Sequence, residues 1–281
     1  MNYGGAYRNT PARLAAVARA EGLSIVENLI VNKEQRIPDI GYWNTTPLAT
    51  ADDVVVANGQ ELHTGLWGHA SLLGARDYYV LPDYAGYPNT PFASLYPTNA
   101  VAFDLGREQG ALAGYVHPFD FRPEPGTIQG RVPYELPVDV ALGKVDFLEV
   151  MGYSDHLITS EVWYRLLNCG FRVPAGGGTD AFPNFAQLRG PPGLVRTYAR
   201  SGSPFNHRRW LAAIKAGRTF VTNAPLITLT VNGQGPGAEL KLPYRSQQLT
   251  VRVTHASPVP IDRLGLVAGG RVIARLRPNS A

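Results

Sequence analysis

Apolar positions along the chain switch between two spacings. Thr10-Pro11 precede Leu14, Val17 and Ala18 on one helical face, with Gly22 just beyond, which predicts a helix capped by threonine, opened by proline and stopped by glycine. The continuous apolar, β-branched run from Leu23 to Val31 then predicts a buried strand. The same helix-then-strand unit recurs twice. Asn99 to Gln109 carries Val101, Ala102 and Leu105 on one face, stops at Gly110 and leads into Ala111 to Val116; Ser160 to Asn168 stops at Gly170 and leads into Phe171 to Pro174. Val54 to Ala57 and Val145 to Val150 read as two further strands. Alternating strands and helices predict an α/β fold with a largely parallel sheet, doubly wound or closed into a barrel.

Leu81 to Pro97 is rich in Pro, Tyr and Gly, too irregular for an element and too aromatic for a linker, so it is expected to pack over the rim as a substrate-side loop. Arg208 to Ala216 reads as a helix with Trp210, Leu211 and Ile214 on one face. Past Asn223-Ala224-Pro225 the pattern changes to short strands, Leu226 to Val231, Leu249 to Val253, Leu264 to Val267 and Val272 to Leu276, separated by Asn-Gly, Pro-Gly and Gly-Gly turns. Two units follow from this: an α/β domain over 1–224 and a small C-terminal all-β module over 225–281.

Composition narrows the classes. Hydrophobic residues make up 44% and charged residues 17%, and no run approaches the roughly 18 consecutive apolar residues of a membrane span. The net charge of +4 comes without interleaved basic and aromatic residues, so no nucleic-acid partner is expected, only a mild attraction for anionic small molecules. Cys169 is the single cysteine, which excludes an internal disulfide. The expectation is a soluble protein with a small-molecule substrate, cytoplasmic unless a leader lies upstream.

In parallel α/β folds, chemistry gathers just past the carboxyl ends of strands. Four strands run into polar residues there: Val54-Val55-Val56 toward Glu61, Gly114-Tyr115-Val116 into His117, Phe147-Leu148 into Glu149, and Phe171 to Pro174 into Gly176-Gly177-Gly178-Thr179-Asp180. Each has a plainer explanation: a loop carboxylate for Glu61, a histidine bonded to backbone for His117, a helix cap for Asp180. Together they outline an oxygen-and-imidazole site for a divalent metal, Zn, Mn or Fe.

Several stretches carry a family resemblance: Glu61-Leu62-His63-Thr64, Gly68-His69 with Leu72-Leu73-Gly74, Tyr115 to Phe119, Trp163 to Asn168, Gly177 to Ala181, and Ala216 to Asn223. In order and spacing they resemble metallohydrolases of the CehA/McbA type within the PHP superfamily, over most of residues 1–225. That resemblance implies a distorted PHP-type β/α barrel, with Glu61, His69, His117 and Asp180 as metal ligands. The chain departs from the family in having no His-x-His, in carrying Leu29-Ile30-Val31-Asn32 where Thr-Asp-His is usual, and in placing Phe182 two residues after Asp180. The resemblance therefore also implies that a first strand bearing His-x-His precedes Met1, and that the 281-residue chain alone is poorly soluble and metal-poor.

The implied activity is hydrolysis of an ester, carbamate or phosphoester bond by a metal-activated water. His156 or His69 is expected to protonate the leaving group, His63 and His156 to be able to stand in as a ligand or as general acid or base, and Tyr84, Tyr87, Phe92 and Tyr96 to form the walls of an apolar pocket. The rival expectation is a catalytically degenerate scaffold that binds a ligand or partner.

Overall fold

The structure, a computed structural model, describes residues 2, 7–32, 36–43, 49–51, 54–124, 126, 132–184, 189–244 and 247–278. Helix α1 (Pro11–Ala20) forms as its pattern dictates, with Thr10 accepting the Arg13 N–H at 3.3 Å and Gly22 taking φ +67° after the last turn. Its residues Leu14 and Ala15 pack on Val56. Strand β1 (Ile25–Ile30) follows, and β2 (Ala49–Ala51) precedes β3 (Val54–Thr64), which lies parallel to β1 from Ile25↔Val55 to Ile30↔Gln60.

Strand β3 departs furthest from the sequence reading. It runs for eleven residues, so Glu61 stands inside a strand and not in a loop beyond one. The extension holds because β4 (Ala70–Leu73) folds back antiparallel on it, from Gly59↔Leu73 to Leu62↔Ala70. The four apolar or small residues of β4 are too short a run to signal a strand by pattern alone. The aromatic segment after β4 contributes only β5 (Tyr84–Ala85), paired with His63 and Thr64.

Helix α2 (Asn99–Glu108), β6 (Leu112–Tyr115), α3 (Leu136–Ala141), β7 (Phe147–Met151), α4 (His156–Asn168) and β8 (Ala175–Gly177) complete the α/β region. The final strand lies just after the stretch expected to form it. The main sheet follows the path β1-β3-β4-β6-β7-β8, with β4 antiparallel to both neighbours. It is thus a mixed, curled sheet, and among the described residues no ladder closes it into a β/α barrel: β1 and β8 are its two ends. The edge of β8 is covered by side chains from a ribbon of β9 (Arg196–Ala199) and β10 (Thr219–Thr222). Thr197 Oγ1 bonds both the N–H and the C=O of Gly177 at 2.8 Å, and Thr219 Oγ1 donates to the Ala175 carbonyl at 2.7 Å.

The two faces of the sheet have different cores. On the outer face Leu72, Tyr115 and Leu148 pack with Phe103 of α2 and Leu136 of α3. On the inner face Leu73, Leu112 and Phe147 meet Leu211 and Ile214 of α5 (His207–Lys215). The C-terminal strands pair as two hairpins, β11 (Leu226–Val231) with β12 (Val251–Ala256) and β13 (Leu264–Ala268) with β14 (Arg271–Leu276). Most of their side chains are exposed, and among the described residues no ladder joins the hairpins to each other or to the main sheet. No helix among the described residues is long and apolar enough to cross a membrane.

Candidate metal centre

Residues two apart on a strand share a face, so β3 presents Glu61 and His63 together on the inner side. The Leu62↔Ala70 pairing brings His69 across from them, just before β4. His117 arrives just past the end of β6, where the Val116 N–H bonds the His69 carbonyl at 3.3 Å. The backbone bends sharply there, with His117 at φ +31°, and the buried Glu149 carboxylate holds the bend by accepting the His117 N–H at 2.6 Å. A non-glycine residue in that region costs energy and persists only where surrounding structure imposes it.

The result is one carboxylate oxygen ringed by imidazoles. Glu61 Oε1 lies 3.2 Å from His63 Nε2, 3.2 Å from His117 Nε2 and 3.4 Å from His69 Nδ1. The ligand atoms of Glu61, His69 and His117 all fall within 4.8 Å of one another. The rings of His63 and His69 stack at 4.4 Å, and that of His117 meets His69 edge-on at 5.1 Å. Tyrosines from the aromatic segment stand behind two of them. Tyr84 donates to the Asn32 carbonyl at 2.5 Å, which spends its only proton, so at 3.0 Å it must accept from His63 Nδ1–H. That assignment leaves His63 Nε2 as the atom facing Glu61. Tyr87 Oη lies 3.3 Å from His69 Nε2. Tyr84 and Tyr87, expected as pocket walls, therefore serve as outer partners of the imidazoles.

The electrostatics are strongly perturbed. Burial pushes Glu61 up, but the His63 charge and the hydrogen bond of His117 overrule it and hold the carboxyl well below its usual range. Burial drives His69 down to about 4 despite the adjacent Glu61. It acts in the same sense on His117, yet the hydrogen bond and charge of Glu61 win and lift that residue to about 9. Glu149, buried and close to Asp180 and Glu61, is pushed up to about 8.

The remaining expected residues are placed differently. Asp180 sits at φ +55° after its glycine run, and its carboxylate pairs with Arg189, whose guanidinium lies 4.0 Å from the Tyr153 ring and 4.5 Å from the Phe182 ring. Asp180 lines the same cavity as Glu61 and His117, and burial together with the Glu61 charge raises it to about 7 although His117 and Arg189 oppose the rise. It is not in the group of converging ligand atoms. His156 is the first residue of α4, exposed, and outside the lining of that cavity. The sequence signal for His63 was its spacing from Glu61, readable only once β3 was known to extend that far.

Can these residues hold a metal? With only protons available, His69 Nδ1 is buried and without a hydrogen-bond partner, although Glu61 Oε1 is 3.4 Å away. A buried, unpartnered nitrogen aimed at a carboxylate already shared by two other imidazoles fits a divalent cation.

No protein-family model matches the sequence, and no curated protein does. Among the solved structures that align with it are two from bacteria. PsfC from Pseudomonas syringae PB-5123 is 16% identical, with a TM-score of 0.43, over 75% of this chain and 81% of that one. A two-domain protein from Bacteroides vulgatus ATCC 8482, described as containing a predicted PHP-like metal-dependent phosphoesterase, is 14% identical, with a TM-score of 0.48, over 98% of this chain and 80% of that one. Neither likeness carries the reading of the site, which rests on its own atoms.

Proposed function

We propose that the protein is a metal-dependent hydrolase of the PHP superfamily, of the CehA/McbA type, acting on an ester, carbamate or phosphoester bond. One observation carries the reading: Glu61 Oε1 has three imidazole nitrogens within 3.4 Å, one of them otherwise unpartnered. Glu61, His69 and His117 would hold a divalent ion, with Zn, Mn and Fe suited to the donor set. When bound, such an ion supplies Lewis acidity toward a water and toward the scissile carbonyl or phosphoryl oxygen.

The chain's own residues set the rest. Glu149 fixes the His117 backbone, and Tyr84 fixes the tautomer of His63. The Asp180 carboxylate is engaged through Oδ2 by Arg189 and stands outside the converging ligand atoms. That engagement favours a second reading, a degenerate scaffold that binds a ligand without turnover.

Metal analysis of the purified chain, followed by assays with p-nitrophenyl acetate and bis(p-nitrophenyl) phosphate, separates the two. Near-stoichiometric metal with chelator-sensitive turnover supports the hydrolase. Metal without turnover supports the scaffold, and a chain that takes up no Zn, Mn or Fe refutes the site.

A further inference from the structure

The charge of the molecule is unevenly placed. Residues 225–281 carry seven Lys and Arg against only Glu239 and Asp262, a net charge of +5, while the whole chain carries +4, which leaves residues 1–224 at −1. Both acids are already engaged, Glu239 by Arg172 at 2.6 Å and Asp262 by its neighbour Arg263 at 3.1 Å. Among the described residues Arg252, Arg271, Arg275 and Arg277 are exposed and enter no ion pair.

Three of these arginines stand on β14 or next to it, and all six residues of that strand are exposed. Val272, Ile273 and Leu276, set among them, are 49%, 62% and 58% exposed. Leu266 pairs with Ala274 and Val267 with Val272, so Ile273 is the extra residue of a bulge. The far edge of β14 has no strand beside it among the described residues. Arginines and a bulge on an edge strand discourage pairing with another sheet, but that task does not call for three large aliphatic side chains left in water. The surface is at once cationic and apolar. It lacks the aromatic residues that stack on bases, because Tyr244 is the single Phe, Trp or Tyr in residues 225–281.

The hairpin is held by its turn. At the end of α4 the Asn168 Nδ2 donates to the Gly269 carbonyl at 3.1 Å, and Gly270 lies so close to α4 that an added Cβ would stand 3.0 Å from Tyr164 Cβ. The other end of α4 begins beside the metal centre, where the Asp155 N–H bonds the carbonyl of Phe119, two residues past His117. The 13 residues of the helix put about 20 Å between the two ends.

We propose that the β13–β14 hairpin attaches the protein to a membrane surface containing anionic phospholipid. The guanidinium groups meet the headgroup phosphates, and Val272, Ile273 and Leu276 enter the boundary between headgroups and acyl chains. Attachment at the far end of α4 keeps the metal centre out of the contact, so this inference does not rest on the hydrolase reading.

The 281-residue chain is sedimented with vesicles of phosphatidylcholine alone and of phosphatidylcholine with about one quarter phosphatidylglycerol. Binding to the anionic vesicles is expected to be at least about 10-fold tighter than to the neutral ones, and to fall steeply between about 0.1 M and about 0.5 M NaCl. Each arginine near such a surface contributes roughly 5-fold, so the triple variant Arg271→Gln, Arg275→Gln, Arg277→Gln should bind about 100-fold more weakly with metal content and circular dichroism spectrum unchanged. Ile273→Ser, which keeps the charge, should cost about 5-fold. Equal binding to the two vesicles, binding to neither, or undiminished binding by the folded triple variant would overturn the attachment surface. A labelled single-stranded oligonucleotide bound more tightly than the anionic vesicles would assign the arginines to nucleic acid and overturn it too.

Discussion

The inner face of the sheet carries two glutamate–histidine assemblies, and they are built in opposite ways. Toward α5, Glu27 meets one histidine, His207, at 2.5 Å, and its second oxygen takes the Gly74 N–H at 3.3 Å. Every strong acceptor there has a donor. At the other end Glu61 is shared among three imidazoles, one of which keeps a buried nitrogen without a hydrogen bond. A one-to-one pair is satisfied by its own protons and needs nothing further. An oversubscribed carboxylate is satisfied by a cation, which is why the second assembly reads as a centre and the first as a structural tie.

Substitutions should separate the two assemblies. The largest effect is expected from His117→Ala, which removes a nitrogen from the cluster while touching little of the hydrophobic core. Metal content and hydrolysis should fall by about 100-fold or more with the circular dichroism spectrum retained. Unchanged metal by elemental analysis would put the centre elsewhere. His207→Ala should do the reverse, leaving metal content intact while costing about 3 kcal/mol in urea unfolding, because Glu27 is left buried with its charge unpaired. An equal loss of metal in both variants would erase the distinction drawn between them.

A smaller effect is expected from Tyr84→Phe, which deletes the acceptor for His63 Nδ1–H without altering packing volume much. Metal affinity should drop about 10-fold in a competition titration, because Tyr84 orients His63 and His63 lies 3.2 Å from the ligating oxygen of Glu61. Unaltered affinity would mean that His63 is not oriented through Tyr84.

The two assemblies should also respond to pH in opposite senses. His117 in the metal-free protein is lifted to about 9, so a proton competes with the ion below that value, and affinity should climb from about pH 7 to about pH 9. At the other assembly, burial pushes His207 down but the Glu27 hydrogen bond and charge raise it above the ordinary histidine value. A raised histidine stabilises the fold fully below its unfolded value, and that contribution fades as pH rises through the folded one. The metal-free wild type should therefore lose its stability advantage over His207→Gln as pH rises above the ordinary histidine value of 6.5, and a difference that stays constant as pH rises would contradict the ion pair.

Much of this was legible in the residues themselves. Helix α1 and the helices before β6 and β8 follow from capping residues, apolar periodicity and glycine stops, all of which act within a few residues along the chain. His117 was nameable as a polar residue just past an apolar strand, and Glu61 and His69 through the motifs of the family the chain resembles. What no local pattern contained was the length of β3, the antiparallel turn into β4, or the pairing of Asp180 with Arg189. Those depend on partners far along the chain: β3 extends because β4 lies against it, and Asp180 meets Arg189 because Tyr153 and Phe182 hold the guanidinium between them. Sequence alone determined which residues are capable of binding a metal. Tertiary structure decided which nitrogens share one oxygen, because convergence within a few ångström is a property of strand register and not of spacing along the chain.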